Sequence, residues 1–131
     1  MIHPITRKIK LIDFGSAMRI QDLPVTTFYG TQKFACPESI RDGAYRLEDQ
    51  ETWALGTLLY VMLFKMDPFA NDYEVLKVDI GDRISRVRKG TGVGDGIPIT
   101  DMAYELLVSM MHKVANRRPR ISEILKFAWL K

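Results

Sequence analysis

The sequence predicts a mainly α-helical domain entered through one short strand and a long loop, and three observations carry that expectation. Residues 50–64 place Trp53, Leu55, Leu58, Leu59, Val61, Met62 and Leu63 on every side of a 3.6-residue repeat. A helix that is apolar all round belongs in the middle of a domain, covered by several neighbours. Met102, Ala103, Leu106, Leu107, Met110 and Met111 fall on one stripe of the same period, the mark of a second, one-sided helix. Only Lys8-Ile9-Lys10-Leu11-Ile12 alternates polar and apolar residues as a strand does.

Length and composition suit one core: 131 residues, 47% apolar and 27% charged. The longest apolar run, 53–64, stops at Lys65, short of the roughly 20 residues that span a bilayer. It reads as a buried helix, and no membrane association is expected. The first eight residues have no apolar signal core, and the single Cys36 permits neither an internal disulfide nor a cysteine metal cage. An intracellular setting, cytoplasm or nucleus, is the expectation. A net charge of +3 invites a nucleic-acid reading. The basic runs 83–89 and 116–120 carry no interleaved aromatics to stack on bases, so they read as helix ends and a connecting loop, with no nucleic-acid partner.

In chain order, the strand ends at Asp13-Phe14-Gly15, where the glycine lets the backbone turn. Residues 16–35 mix Ser, Thr, Gly and Pro with isolated apolars and read as a loop; loops this long in compact domains usually carry function. After the helix over 50–64, residues 72–78 suit a shorter amphipathic helix. The glycines of 89–98 miss the G-x-G-x-x-G spacing and follow no clear strand, so they predict a surface connection and no phosphate loop. Thr100 is the N-cap of the next helix, with Asp101 where negative charge suits the helix dipole. Ser122 is the cap candidate for a last helix through Ile124, Leu125 and Trp129.

The motifs are weak singly and strong in order. Asp13-Phe14-Gly15 is followed by Gly30-Thr31-Gln32-Lys33-Phe34-Ala35-Cys36-Pro37-Glu38, then Glu51-Thr52-Trp53-Ala54-Leu55-Gly56, Asp67-Pro68-Phe69, Arg118-Pro119 and Trp129. In that order, residues 8–131 resemble the second half of a protein kinase catalytic domain, with DFG at 13–15 and Cys36-Pro37-Glu38 in the APE position. Gly30-Thr31 is similar to Ser/Thr kinases, and Asp-Phe-Gly-Ser-Ala with Trp-Ala-Leu-Gly-Thr-Leu-Leu-Tyr resembles Pim-type and PAS-domain kinases of the calcium/calmodulin-dependent group. The implied fold is a partial kinase domain over 1–131: strand and DFG at 8–15, activation segment at 13–38, and a helical C-lobe core at 39–131.

The resemblance also implies roles. Asp13 would hold the Mg²⁺ that bridges the ATP phosphates. Phe14 would pack inward and set Asp13, beside Gly15. Thr26 and Thr27 are candidate activation-segment phosphosites, and Gly30 and Thr31 would receive the residue after the phosphoacceptor. Glu38 and Arg118 would form a buried ion pair.

Some positions depart from the family pattern. Glu51 stands where the family has an aspartate that supports the catalytic loop, Cys36 replaces alanine and Phe34 replaces tyrosine. Val61 and Met66 occupy positions that are acidic in Pim-type kinases, so a basic substrate is not indicated. The catalytic base and second metal ligand of H-R-D-L-x-x-x-N precede DFG. Residues 1–12 contain no Asp or Asn, and His3 is followed by Pro4. The expectation is a C-lobe fragment of an ATP- and Mg²⁺-dependent Ser/Thr protein kinase acting on proteins. It holds no catalytic base of its own, is inactive alone, and has a core face left for an N-lobe or another protein. A noncatalytic kinase-like interaction module is the alternative.

Overall fold

The computed structural model describes residues 1–20, 23–89 and 98–131, so the glycine-rich stretch 90–97 lies outside the described residues. The helices are α1 (Pro37–Arg41), α2 (Leu47–Phe64), α3 (Asp72–Lys77), α4 (Ile80–Arg88), α5 (Asp101–Met110) and α6 (Ile121–Ile124). Single 3₁₀ turns occur at Gln32–Phe34, Ala115–Arg117 and Ala128–Leu130. The fold is mainly helical, in agreement with the periodicities.

α2 is the centre. It begins three residues before the expected start at Gln50, with Glu48 and Asp49 in its first turn, and ends on Lys65 in the left-handed conformation (φ 58°). Trp53, Tyr60 and Phe64 are fully buried, while Leu55, Leu58 and Met62 face solvent. The described residues therefore cover only part of its apolar circumference. α5 and α6 pack against α2, α4 packs on α5, and α3 packs on α1. Leu106, Leu107, Met110 and Met111 close the core from the α5 side. Thr100 caps α5, its hydroxyl accepting from the Ala103 N–H at 3.2 Å.

Gly56 of α2 lies directly against the end of α5. A Cβ there would lie 2.6 Å from Met111 Cγ and 3.1 Å from Met110 Cβ. Gly56→Ala gains helix propensity of up to about 1 kcal/mol. Overpacking of a closed contact costs about 1–3 kcal/mol. The expected result is a net loss of stability, read as a lower urea midpoint with an unchanged m-value.

Three expectations need correction. Residues 80–88 form a helix of their own, where the basic run 83–89 reads only as a helix end or connecting loop: Asp79 caps it by accepting from Gly81 N–H at 2.7 Å, and Ile80, Ile84 and Val87 are buried. That i, i+4, i+7 stripe was present in the sequence, hidden by the arginines on the other face. Residues 8–12 form no strand; an isolated antiparallel bridge joins Ile2 and Ile9. Hydrogen bonds between Met1 and Lys10 (2.8 and 2.9 Å) close this turn, but Ile9, Leu11 and Ile12 remain exposed. A two-stranded ribbon with no layer behind it buries no apolar face and is marginal by itself. Ser122 is not the last cap. The cap is Arg120, two residues earlier, with its N–H donating to the Glu123 carboxylate at 2.8 Å, and α6 stops at Ile124 before the separate turn carrying Trp129.

Candidate substrate and metal site

Glu38 sits in the first turn of α1, which Pro37 starts, and Arg118 follows the Ala115–Arg117 turn. The guanidinium grips the carboxylate with both nitrogens, at 2.6 and 2.7 Å. Arg118 also donates to the carbonyls of His112 (2.8 Å) and Asp49 (3.0 Å), and its guanidinium carbon lies 5.0 Å from the Trp53 ring centroid. The Arg118 side chain is wholly buried. Burial pushes the Glu38 carboxyl up, but the Arg118 hydrogen bonds and charge outweigh it, and the group sits below the usual carboxylate range. One pair thus ties α1, the start of α2 and the segment after α5 together.

Gln50, on α2, fixes the stretch before α1 from the other side. Its carbonyl accepts from Cys36 N–H at 2.9 Å and its amide donates to the Phe34 carbonyl at 2.7 Å. Farther back, Val25 and Tyr45 exchange backbone hydrogen bonds (2.7 and 3.0 Å), and the Tyr45 hydroxyl donates to the Thr27 carbonyl at 3.0 Å. Between these anchors Thr26, Thr27, Gly30 and Thr31 all face solvent. Gly30 has φ 139°, a value that disfavours any side chain, and Thr31 leads into the Gln32–Phe34 turn. Gln32 donates to Asp72 at 3.3–3.4 Å and Lys33 pairs with Asp67 at 3.1 Å, so this exposed stretch leans on α3 and the turn before it.

Asp13 is exposed, with φ 63°, and its carboxylate accepts one long hydrogen bond from Gly15 N–H at 3.4 Å. Its remaining lone pairs are open to a hard cation. Mg²⁺ is commonly held by one or two carboxylates together with water and phosphate oxygens, and Asp13 fits one such position. Among the described residues no three His, Cys, Asp or Glu side chains gather into a metal cage. Phe14 departs from its expected place: it is 68% exposed, because no described element packs against this turn. No described contact joins Asp13 to the Gly30–Thr31 stretch; only the latter leans on other elements.

The comparisons with known proteins decide the family. The family described as the protein kinase domain matches residues 1–130. The chain belongs to the protein kinase family. Serine/threonine-protein kinase PSK2 of Saccharomyces cerevisiae is 34% identical over 123 residues, covering 94% of this chain and 10% of that protein. Ribosomal protein S6 kinase 2 alpha of Gallus gallus is 31% identical, covering 93% of this chain and 16% of that protein. Serine/threonine-protein kinase pim-2 of Danio rerio is 30% identical over 132 residues, covering 99% of this chain and 38% of that protein. This kinase-family chain therefore spans well under half the length of each of these relatives.

Within this kinase-family chain, two residues matter that the motifs did not mark. Gln50 joins the APE-position residues to α2 by long-range hydrogen bonds, for which no local pattern exists. Lys113 lies 4.3 Å from the Phe69 ring centroid and 5.2 Å from that of Trp53, and donates to the Val75 carbonyl. The rings stack on each other, 5.9 Å apart and 9° from parallel. Glu51 is exposed, on the rim of an open groove of about 380 Å³ that also borders Ser16, Met18 and Tyr29. No described helix is long and apolar enough to cross a membrane.

Proposed function

We propose that this chain supplies the helical substrate-receiving part of an ATP-dependent Ser/Thr protein kinase. The observation that carries the reading is the Glu38–Arg118 grip: it anchors the end of the stretch that presents Gly30 and Thr31, in a chain whose relatives are Ser/Thr kinases. ATP and Mg²⁺ supply the transferable phosphoryl group and neutralise its charge. Asp13 offers a carboxylate to the metal. Gly30 leaves space for a peptide backbone, and Thr31 borders the residue after the acceptor hydroxyl. Thr26 and Thr27, exposed beside the Tyr45 anchor, are candidate phosphorylation sites. The partner is a protein substrate, with an N-lobe or equivalent completing the ATP site.

Phosphoryl transfer also needs a base to orient the acceptor hydroxyl, and that base is not among these 131 residues. Chain 1–131 incubated with labelled ATP and a Ser/Thr peptide is expected to incorporate no phosphate above a protein-free blank. Fused behind the preceding half of the kinase domain of the Danio rerio relative, it is expected to phosphorylate the peptide, and Asp13→Ala in the fusion to abolish this. A fusion that unfolds cooperatively yet stays inert would overturn the reading.

A further inference from the structure

We propose that Lys113 is a positioning residue for the substrate-receiving stretch, acting through α3. The proposal rests on the reading of Gly30–Thr31 above, and the contacts run in one line. The Lys113 ammonium donates to the carbonyl of Val75, one of the last carbonyls of α3, which have no partner inside the helix. A lysine there satisfies the carbonyl and complements the negative end of the helix dipole. The stacked rings of Trp53 and Phe69 hold the ammonium in place by cation–π attraction. At its other end α3 presents Asp72 to the Gln32 amide, and Asp67, just before Phe69, pairs with Lys33. α3 also packs on α1, where the Glu38 anchor begins. Release of Lys113 therefore frees the support on which Gln32 and Lys33 rest, without touching the Glu38–Arg118 pair.

The arrangement also responds to protons. Burial lowers the Lys113 amine to about 8, with Asp79 at the start of α4 opposing this and Arg118 and Arg83 adding to it. The ammonium form that bonds Val75 is thus lost on modest alkalinisation, well before an ordinary lysine would titrate.

Residue-resolved amide hydrogen exchange of dilute, full 131-residue chain tests the coupling. The informative amides are Phe34 and Ala35, bonded to Thr31 and Gln32, and Val75 and Val78, bonded to Asn71 and Glu74. Lys113→Met is expected to speed both groups about tenfold, with α2 and α5 unchanged, and Lys113→Arg to restore protection. Raising the pH from 7 to about 9.5 should loosen the same two groups in the wild type, after correction for intrinsic exchange, and add nothing in Lys113→Met. Gln32→Ala, a change at an exposed side chain, should loosen Phe34 and Ala35 alone. Acceleration confined to Val75 and Val78, or spread uniformly over α2 and α5, would overturn the proposal. Should Lys113→Met fail to fold, the wild-type pH series and Gln32→Ala decide by the same criteria. No substrate enters this test, so its failure leaves the role of Gly30 and Thr31 standing, and that role fails separately in the fusion assay.

Discussion

Arg118→Met is expected to cost about 3–5 kcal/mol of folding stability, the loss usual when one partner of a buried ion pair is removed. The carboxylate of Glu38 is buried, and without Arg118 no described side chain neutralises it. The carbonyls of His112 and Asp49 lose their donor in the same step. A domain of this size has only about 5–15 kcal/mol to lose, so the urea midpoint should fall steeply. Glu38→Gln should cost less than Arg118→Met, because the amide oxygen still accepts from one guanidinium nitrogen. The double replacement Glu38→Leu with Arg118→Met should recover part of the loss, since no stranded charge remains. Acid titration gives an independent check. The Glu38 carboxyl is held below its ordinary value, so its stabilisation is complete above the ordinary carboxylate pKa and disappears as pH falls through the lower folded value. Arg118→Met should remove that acid-side slope. An Arg118→Met chain as stable as the wild type would show that the pair contributes nothing net.

The legibility of this pair marks the limit of the sequence. Glu38 and Arg118 stand 80 positions apart, and only the ordered motifs join them. The helices over 50–64 and 101–110 were legible because an apolar repeat is local and needs no knowledge of the partner. α4 escapes a reading of the sequence because its charged face dominates its composition, although Ile80, Ile84 and Val87 keep helical spacing. The strand over 8–12 was misread for a tertiary reason. Alternation describes a half-buried surface, and here Ile9, Leu11 and Ile12 have no layer to bury against. Of the candidate site residues, Asp13, Gly30 and Thr31 carry recognisable motif positions. Gln50 and Lys113 act through backbone carbonyls and ring faces that residue identity does not encode.

The uncovered face of α2 leads to the second large effect: the chain by itself should bind hydrophobic dyes and self-associate at modest concentration while remaining helical. Leu55, Leu58 and Met62 are 39%, 46% and 60% exposed along α2. Phe14, Met18, Ile20 and Leu23 lie exposed along the described parts of the segment after the DFG turn. Full burial of such a side chain is worth roughly 1.5–3 kcal/mol, so a handful left in water forfeits an amount comparable with a domain's net stability. The opposite side of α2 is closed by Met110 and Met111 against Gly56, so helix content should persist while the open side seeks cover. Leu58→Lys with Met62→Lys should reduce dye binding and shift the chain toward monomer on gel filtration, without loss of helical circular dichroism. Co-expression with the preceding half of a related kinase domain should abolish dye binding and sharpen thermal unfolding, the outcome expected of a partner that covers the exposed face. A monomeric 131-residue chain that melts in one sharp transition and binds no dye would show that the exposed α2 face needs no partner.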